Sequence, residues 1–360
     1  MDALTTPLNW QRVRLGDILT LKHGRDYKNF KLGNIPVYGS GGYMLSINNF
    51  LHNGESVCIG RKGTIDKPIY LNGKFWVVDT LFYSYSFKKS IPKFIFYAFS
   101  IIKWSNYNEA TGVPSLTKMI ISNIEIPLPP LNEQIAIANI LSDVDRYLYS
   151  LDALILKKES VKKALSFELL SQRKRLKGFN QAWQRVRLGD IAEIKRGVRI
   201  TKNELDVFGK YPVVSGGVGF LGYTNNFNRY ENTITIAQYG TAGFVNWQNQ
   251  KFWANDVCFC IYPNKDIIKN IFLYYFLKVN QNYLYEISNR NATPYSISKD
   301  KILDFEIPLP SLNEQIAIAN ILSDLDSEIT SLKNKKRQFE NIKKALNHDL
   351  MSAKIRVLKN

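Results

Sequence analysis

The sequence predicts an α+β protein built as a tandem repeat of two mixed α/β modules. A long helix follows each module, and we expect the two helices to pair as an antiparallel coiled coil with overall pseudo-twofold symmetry. Three observations support this expectation: a nine-residue opening occurs twice, a twenty-residue block occurs twice, and a heptad pattern continues each copy of that block. The chain's 360 residues also exceed the length of a typical single domain.

In each copy the repeated opening and the repeated helix block enclose an intervening region, and these two regions, the middles, differ in sequence. The opening WQRVRLGDI starts at Trp10 and again at Trp183, and residues 126–145 match residues 307–326 at 18 of 20 positions. The middles match only at scattered places, such as a Phe-Trp-x-x-Asp element in each copy. This contrast predicts two different binding modules on one scaffold. Neutral drift of the middles and recombination within the repeated block are the alternatives.

Short apolar runs separated by Gly, Asn and Ser predict strands in both middles. They cover residues 37–42, 56–59, 75–78 and 81–84 in the first copy, and 213–218, 233–237, 252–253 and 257–262 in the second. Residues 94–103 and 271–279 are predicted to form short apolar helices. Each copy is therefore expected to be a mixed α/β module.

The repeated block opens a long helix. Leu-Asn-Glu-Gln follows a proline-rich stretch, with Asn132 or Asn313 as the candidate cap. A 4,3 spacing then selects ten positions per copy, eight apolar and two lysine: Ile137, Leu141, Val144, Leu148, Leu151, Ile155, Lys158, Lys162, Leu165 and Leu169, and Ile318, Leu322, Leu325, Ile329, Leu332, Lys336, Phe339, Lys343, Leu346 and Leu350. Such a seam is typical of a coiled coil, and about 43 helical residues would span roughly 65 Å.

These features predict five segments along the chain. They are a first module (1–130), a central helix (131–175), a linker (176–181), a second module (182–311) and a C-terminal helix (312–356). The linker lies within the basic run RKRLKGFNQ, which contains Gly178.

The net charge of +17 fits a polyanionic partner or an anionic membrane surface. The sequence has no apolar run of 18 residues and no signal-peptide pattern at its start, so we expect a cytoplasmic protein without a membrane partner. Its three cysteines and three histidines are scattered, which argues against a metal site.

Catalytic motifs are missing as well. Residues 217–222 match the dinucleotide pattern G-x-G-x-x-G, but they run into a turn where the motif needs a helix. The sequence contains no phosphate-binding loop, no G-x-S-x-G nucleophile elbow and no H-E-x-x-H pair. We therefore expect no catalytic residue, cofactor or metal in this chain, and a binding function.

Basic, aromatic and amide side chains interleave in both middles, as duplex DNA would require. Arg and Lys neutralise phosphates, Arg can fork onto guanine, and Asn or Gln can bind adenine. The candidate DNA contacts of the first module are Lys22, His23, Arg25, Ser40, Tyr43, Asn48, Asn49, Arg61, Lys62, Thr64, Thr111 and Ser115. Those of the second are Lys195, Arg196, Arg199, Ser215, Asn225, Asn226, Tyr239, Thr241, Arg290, Asn291, Tyr295 and Ser296. Because the modules differ, we expect two different half-sites.

The order of module, IPLP-x-LNEQIAIANILSD helix, module and the same helix resembles the specificity subunit of type I restriction-modification enzymes, which act in phage defence. The resemblance covers essentially the whole chain, and the paired helix blocks are its most specific part. It implies two target recognition domains that read an asymmetric bipartite double-stranded DNA site, helices that set the spacer, and no catalysis in this chain.

The resemblance also implies partners. Two methyltransferase subunits would methylate adenine with S-adenosylmethionine, and restriction subunits would add ATP- and magnesium-dependent translocation and cleavage. Carried onto this sequence, partner binding falls to Leu131, Glu133, Gln134, Ile137 and Leu141, and to Leu312, Glu314, Gln315, Ile318 and Leu322.

Three alternatives stay open at this point. One is a specificity subunit of a related multi-subunit restriction class. A second is a non-specific basic coiled-coil interaction protein. A third, a catalytic nuclease or methyltransferase subunit, is disfavoured by the missing motifs.

Overall fold

A computed structural model describes residues 9–358 of the chain and divides into two units. The first unit combines residues 1–153 with 334–360, and the second comprises residues 154–333. Each unit therefore contains one module, part of the central helix and part of the C-terminal helix.

The first module begins with an opening segment and ends at the start of the central helix. Its strands are β1 (Gln11–Arg14), β2 (Thr20–His23), β3 (Leu32–Gly39), β4 (Gly42–Ile47), β5 (His52–Asn53), β6 (Ser56–Gly60), β7 (Ile69–Leu71), β8 (Lys74–Val77), β9 (Leu81–Tyr85) and β10 (Glu125–Leu128). Its helices are α1 (Leu15–Ile18), α2 (Pro92–Ile101) and α3 (Lys118–Asn123), with a 3-10 turn at Trp104–Tyr107. The central helix is α4 (Leu131–Leu170).

The second module repeats this order. Its strands are β11 (Gln184–Arg187), β12 (Ala192–Arg196), β13 (Tyr211–Val214), β14 (Gly222–Thr224), β15 (Thr233–Ala237), β16 (Val245–Gln248), β17 (Trp253–Ala254), β18 (Cys258–Pro263) and β19 (Glu306–Leu309). Its helices are α5 (Leu188–Ile191), α6 (Asn270–Val279), α7 (Gln281–Glu286) and α8 (Lys299–Leu303), with a 3-10 turn at Lys202–Glu204. The C-terminal helix is α9 (Leu312–Met351).

Corresponding sheets occur in both modules. A core sheet has the order β2-β9-β6-β7 in the first unit and β12-β18-β15-β16 in the second. An outer sheet has the order β4-β3-β8-β5 in the first unit and β14-β13-β17 in the second, where a bridge between Arg229 and Phe252 takes the place of β5. The opening strand pairs antiparallel with the strand before the long helix, as β1 with β10 and β11 with β19.

In each unit the module helix and the long helices share one core with the core sheet. In the first unit Phe94 and Phe99 of α2 are buried with Ile137 and Leu141 of α4. In the second unit Phe272 of α6 is buried with Ile318 and Leu322 of α9. Burying these apolar faces fixes each module on its helices.

The heptad prediction is confirmed, because all twenty seam positions are buried or half-buried. In the first unit Lys336 binds Asp152 at 2.7 Å and Lys343 binds Asp145, so rising numbers on α4 meet falling numbers on α9. In the second unit Lys158 binds Glu328 at 2.8 Å. The helices are antiparallel within each unit, and seam lysines pair with carboxylates of the opposite helix.

One strand prediction was wrong. Residues 37–42, predicted as one strand, contain the hairpin turn between β3 and β4, because Ser40 and Gly41 reverse the chain. The long helices end at Leu170 and Met351, inside the predicted helix segments 131–175 and 312–356. Gln172 and Ala353 follow with φ of 62° and 56°, left-handed conformations that stop a helix.

Candidate nucleic-acid interface

One loop in each unit directly follows a central strand of the core sheet, β6 in the first unit and β15 in the second. In the first unit Arg61 N donates to Thr80 O at 2.8 Å, and Gly63 N donates to Pro114 O at 2.9 Å. In the second unit Gln238 N donates to Val257 O at 2.8 Å, and Gly240 N donates to Tyr295 O at 3.0 Å. These matched bonds make residues 61–64 and 238–241 structurally equivalent loops that carry different side chains, RKGT and QYGT.

Glycine is required at the third position of both loops. Gly63 has φ of 85° and Gly240 has φ of 79°, in the left-handed region that strains other residues. The second loop residue is bridged to a neighbouring segment, Lys62 to Ser115 and Tyr239 to Ser296. The backbone geometry is therefore the same in both units while the side chains vary.

The Phe-Trp-x-x-Asp element explains why a basic loop lies beside these residues. Trp76 Nε1 donates to Arg25 O at 2.7 Å, and Trp253 Nε1 donates to Val198 O at 2.8 Å. A Cβ on Gly24 would come within 2.0 Å of Val78 O, so only glycine lets this loop pass so close to the strand.

The structure brings some of the predicted DNA contacts of the first unit together. Hydrogen bonds and bridges join the segments carrying Arg25, Ser40, Arg61, Lys62, Thr64 and Ser115, and His23 and Thr111 lie on adjoining segments. Tyr43 is 62% exposed beside the Ser40 turn. Asn48 and Asn49 lie at the opposite end of the β3–β4 hairpin, where Asn48 N donates to Lys31 O at 2.9 Å. Lys22 stacks on the Tyr85 ring, with 4.6 Å between its Nζ and the ring centroid.

In the second unit, too, most of the predicted DNA contacts lie on joined segments and a few lie apart. The joined segments carry Arg196, Arg199, Ser215, Tyr239, Thr241, Tyr295 and Ser296, with Arg290 stacked on Tyr295 and Asn291 next to it. Asn225 lies apart from them and donates to Asp206 at 2.6 Å, with Asn226 following it. Lys195 stacks on Tyr262.

Two titratable side chains of β2 have shifted pKa values. Burial lowers the pKa of His23, and Arg61 and Lys118 lower it further, so neutral imidazole is favoured. Tyr85, on whose ring Lys22 stacks, raises the pKa of Lys22, which favours the cation. The loop cluster is cationic through its arginines and lysines and not through its histidine.

Most of the residues expected to bind partners are buried inside the units. Glu133, Gln134, Ile137, Leu141, Glu314, Gln315, Ile318 and Leu322 are at most 2% exposed. Of the ten, only Leu131 is exposed, and Leu312 is half-buried. The repetition of the block reflects internal packing at these eight positions.

The buried Gln134 joins the start of α4 to the module. Its Nε2 donates to Lys89 O at 2.9 Å and to Pro129 O at 2.8 Å, and its Oε1 accepts from Ile91 N at 3.0 Å. Gln315 makes the corresponding three bonds in the second unit. Because each amide is fully paired, burial is tolerated.

The buried Glu133 and Glu314 each bind a tryptophan and an arginine. Glu314 accepts from Trp183 Nε1 at 2.9 Å and from Arg175 Nη2 at 2.8 Å. Glu133 accepts from Trp10 Nε1 at 3.0 Å and from Arg356 Nε at 2.7 Å. Neither arginine could be predicted from the sequence, because Arg175 lies 139 positions from Glu314 and Arg356 lies 223 positions from Glu133, so no local spacing relates them.

A second network joins each module helix to both long helices. Tyr97 donates to Asp145 at 2.8 Å, and Lys343 also binds Asp145. In the second unit Tyr275 donates to Asp326 at 2.9 Å, and Lys162 binds the same carboxylate. Sequence reasoning found the lysines as seam residues but had no signal for the tyrosines, which lie in apolar helices.

Several absences apply to the part of the chain that the structure describes. No helix in residues 9–358 has the length and apolar character to cross a membrane. The same residues contain no cluster of three or more His, Cys, Asp or Glu side chains arranged to hold a metal ion. Residues 217–221 lead into strand β14 and not into a helix, which removes the dinucleotide interpretation.

Two equivalent modules that carry different side chains on one backbone frame define a protein with two nucleic-acid recognition modules. The chain belongs to the family of the type I restriction modification DNA specificity domain, whose model matches residues 7–158 and 180–341. It is a specificity subunit with two recognition domains, and members of this family are not the catalytic components.

Similar proteins agree with this assignment, and a solved structure has the same fold. The type I restriction enzyme MjaVIII specificity subunit of Methanocaldococcus jannaschii is 26% identical, over 99% of this chain and 95% of the relative. A putative type I specificity subunit of Mycoplasma pneumoniae is 25% identical, over 87% of this chain and 88% of the relative. The crystal structure of a type I S subunit from M. genitalium has the same fold, with a TM-score of 0.75, 20% identity and 97% of both chains covered.

Proposed function

We propose that each module of this specificity subunit reads one half of an asymmetric, bipartite DNA site. The observation that carries the proposal is the shared backbone frame of residues 61–64 and 238–241 with its exchanged side chains. Arg61 and Lys62 offer only donors, whereas Gln238 and Tyr239 offer donors and acceptors. Two donor patterns on one frame favour two different base sequences.

The long helices are proposed to set the distance between the half-sites. Both are 40 residues long, and the seam bonds in each unit fix their register. A helix of fixed length and register holds a module at a fixed position along DNA. We retain the five predicted segments, 1–130, 131–175, 176–181, 182–311 and 312–356, as a functional division of the chain.

Exposed residues at the start of each long helix are proposed to dock two copies of one partner. Leu131 and Ile135 are 49% and 48% exposed on α4, and the corresponding Ile316 on α9 is 42% exposed. Leu131 and Ile135 lie four residues apart, on one face of α4. Ile135 and Ile316 are equivalent in the repeat, and each leaves nearly half of an apolar side chain at the surface, which favours a shared partner surface.

By the family's chemistry, that partner is an adenine methyltransferase subunit that uses S-adenosylmethionine. Restriction subunits that use ATP and magnesium would complete the complex, and the assembly would work in the cytoplasm. A solved relative is described as showing complex assembly and conformational transition of the type I system. The chain itself would contribute recognition and spacing.

Mapping methylated adenines in the host genome tests the recognition proposal. We expect a bipartite, asymmetric motif that disappears when the gene for this chain is deleted and returns on complementation. Methylation that is unchanged by the deletion would contradict it. Weak binding without sequence preference that fades with salt would instead favour the basic coiled-coil alternative.

Copurification with the methyltransferase tests the docking surface. Ile135→Asp and Ile316→Asp should each remove one of two bound copies, because each places an uncompensated carboxylate in an apolar contact. Tyr149→Asp, at a position 78% exposed and outside this surface, is the matched control and should leave both copies bound. Two copies retained by both isoleucine variants would contradict the docking proposal.

A further inference from the structure

Both units hold an arginine side chain over the same backbone oxygen, but the two arginines come from different loops. In the first unit Arg61 Nη1 donates to the carbonyl oxygen of Asp79 at 3.2 Å. In the second unit Arg196 Nε donates to the carbonyl oxygen of Asp256. Asp79 and Asp256 are equivalent, since each ends a Phe-Trp-x-x-Asp element.

The arginines themselves are not equivalent in the repeat. By the matched backbone hydrogen bonds, Arg196 corresponds to His23, and Arg61 corresponds to Gln238. In the first unit these two positions lie on either side of the start of β9, where His23 pairs with Phe82 and Gly60, next to Arg61, pairs with Leu81. Each unit therefore has one guanidinium at the carbonyl oxygen of this aspartate, but the position in the repeat that supplies the arginine differs.

We propose that Arg61 and Arg196 are equivalent base-reading residues, each of which contacts a guanine in its own half-site. The inference rests on the proposed function, because it requires each module to read a half-site. A guanidinium has five N–H donors, so one bond to a carbonyl leaves four for a ligand. Arg61 is half-buried and Arg196 is exposed.

A guanine contact fits this geometry better than a phosphate contact. The carbonyl bond orients the planar fork, and a bidentate fork matches the O6 and N7 acceptors of guanine. A phosphate requires charge without a fixed plane, which a lysine also supplies. The remaining loop side chains, such as Lys62 and Tyr239, differ between the units and would account for the different bases beside this guanine.

Charge-conserving variants test the proposal in the complex of this chain with its methyltransferase. Arg61→Lys and Arg196→Lys should each relax one guanine position in one half-site, with discrimination there falling about tenfold to a hundredfold. The measurements are the methylated motif and competition binding with DNA altered at each position. Arg12→Lys and Arg185→Lys change exposed arginines of the opening strands and should leave the motif unchanged.

A relocation variant distinguishes reading from support of the fold. Arg61→Gln should lose the guanine preference, and adding His23→Arg should restore it, because this pair rebuilds the arrangement of the second unit. Failure of that restoration would overturn the equivalence of the two arginines. Equal weakening on all sequences in the lysine variants would overturn base reading.

The same data separate this inference from the proposed function. The unmodified chain could direct a bipartite motif that every substitution at Arg61 and Arg196 leaves intact. In that case only the inference about Arg61 and Arg196 is refuted. If the unmodified chain directs no such motif, the proposed function itself has failed.

Discussion

The buried carboxylate of Glu314 offers a quantitative test of how the second module is held on its helix. Glu314 is 1% exposed, and it accepts two bonds from Arg175 and one from Trp183, at distances of 2.8 to 3.2 Å. Glu314→Gln keeps the size of the side chain and removes its charge. Breaking a buried ion pair costs about 3–5 kcal/mol, and the 29% exposure of the Arg175 side chain lets water recover part of that, so we expect about 2–4 kcal/mol.

A double-mutant cycle in urea measures the pairwise part of this energy. Glu314→Gln, Arg175→Met and the double variant should show a coupling energy of about 2 kcal/mol, because the double variant leaves no unpaired charge. A coupling energy below about 0.5 kcal/mol would refute the assignment of the pair as a stabilising contact. Glu133→Gln is the matched control in the first unit, and it should cost a similar amount.

Three further predictions follow from named contacts. Tyr97→Phe removes the bond to Asp145 and should lower the free energy of unfolding by about 1 kcal/mol, measured by urea denaturation. Gly24→Ala places a Cβ 2.0 Å from a carbonyl oxygen and should prevent or severely destabilise folding, whereas Gly41→Ala, with open space around it, should fold normally by circular dichroism. The lowered pKa of His23 means that protonation favours the unfolded chain, so stability should fall as pH drops below about 6.5, the ordinary pKa of histidine. His23→Gln should remove that part of the pH dependence.

The repeat architecture could be predicted because sequence identity reports it directly. The two copies of WQRVRLGDI and of the helix block place equivalent elements without any structural knowledge. The heptad spacing predicted the pairing of the helices, because apolar residues at that spacing have one face to bury.

The roles of the repeated polar residues could not be predicted. The family resemblance assigned Glu133 and Gln134 to partner binding, and charged and amide side chains are mostly exposed in proteins. They are buried because the chain supplies distant partners, such as Arg356, more than 200 positions away. A single sequence has no local signal for such a contact.

The loop cluster was predicted in part. Arg61 and Arg196 stood out as basic residues, but the carbonyl oxygens that orient them are backbone groups, which no side-chain pattern reveals. Asn48 and Asn225 have the residue type for base contacts and lie away from the cluster, because β3–β4 and β13–β14 carry them to the other end of the hairpin.

Duplicating one module tests the central claim most directly. Residues 192–306 would replace residues 19–125, so that both positions carry the second module on otherwise unchanged helices. Mapping of methylated adenines should then give a motif whose two halves read the same sequence, with the half-site of the second module retained. A change in the half-site of the untouched module, or a motif identical to that of the unmodified chain, would contradict two independent readers on one scaffold.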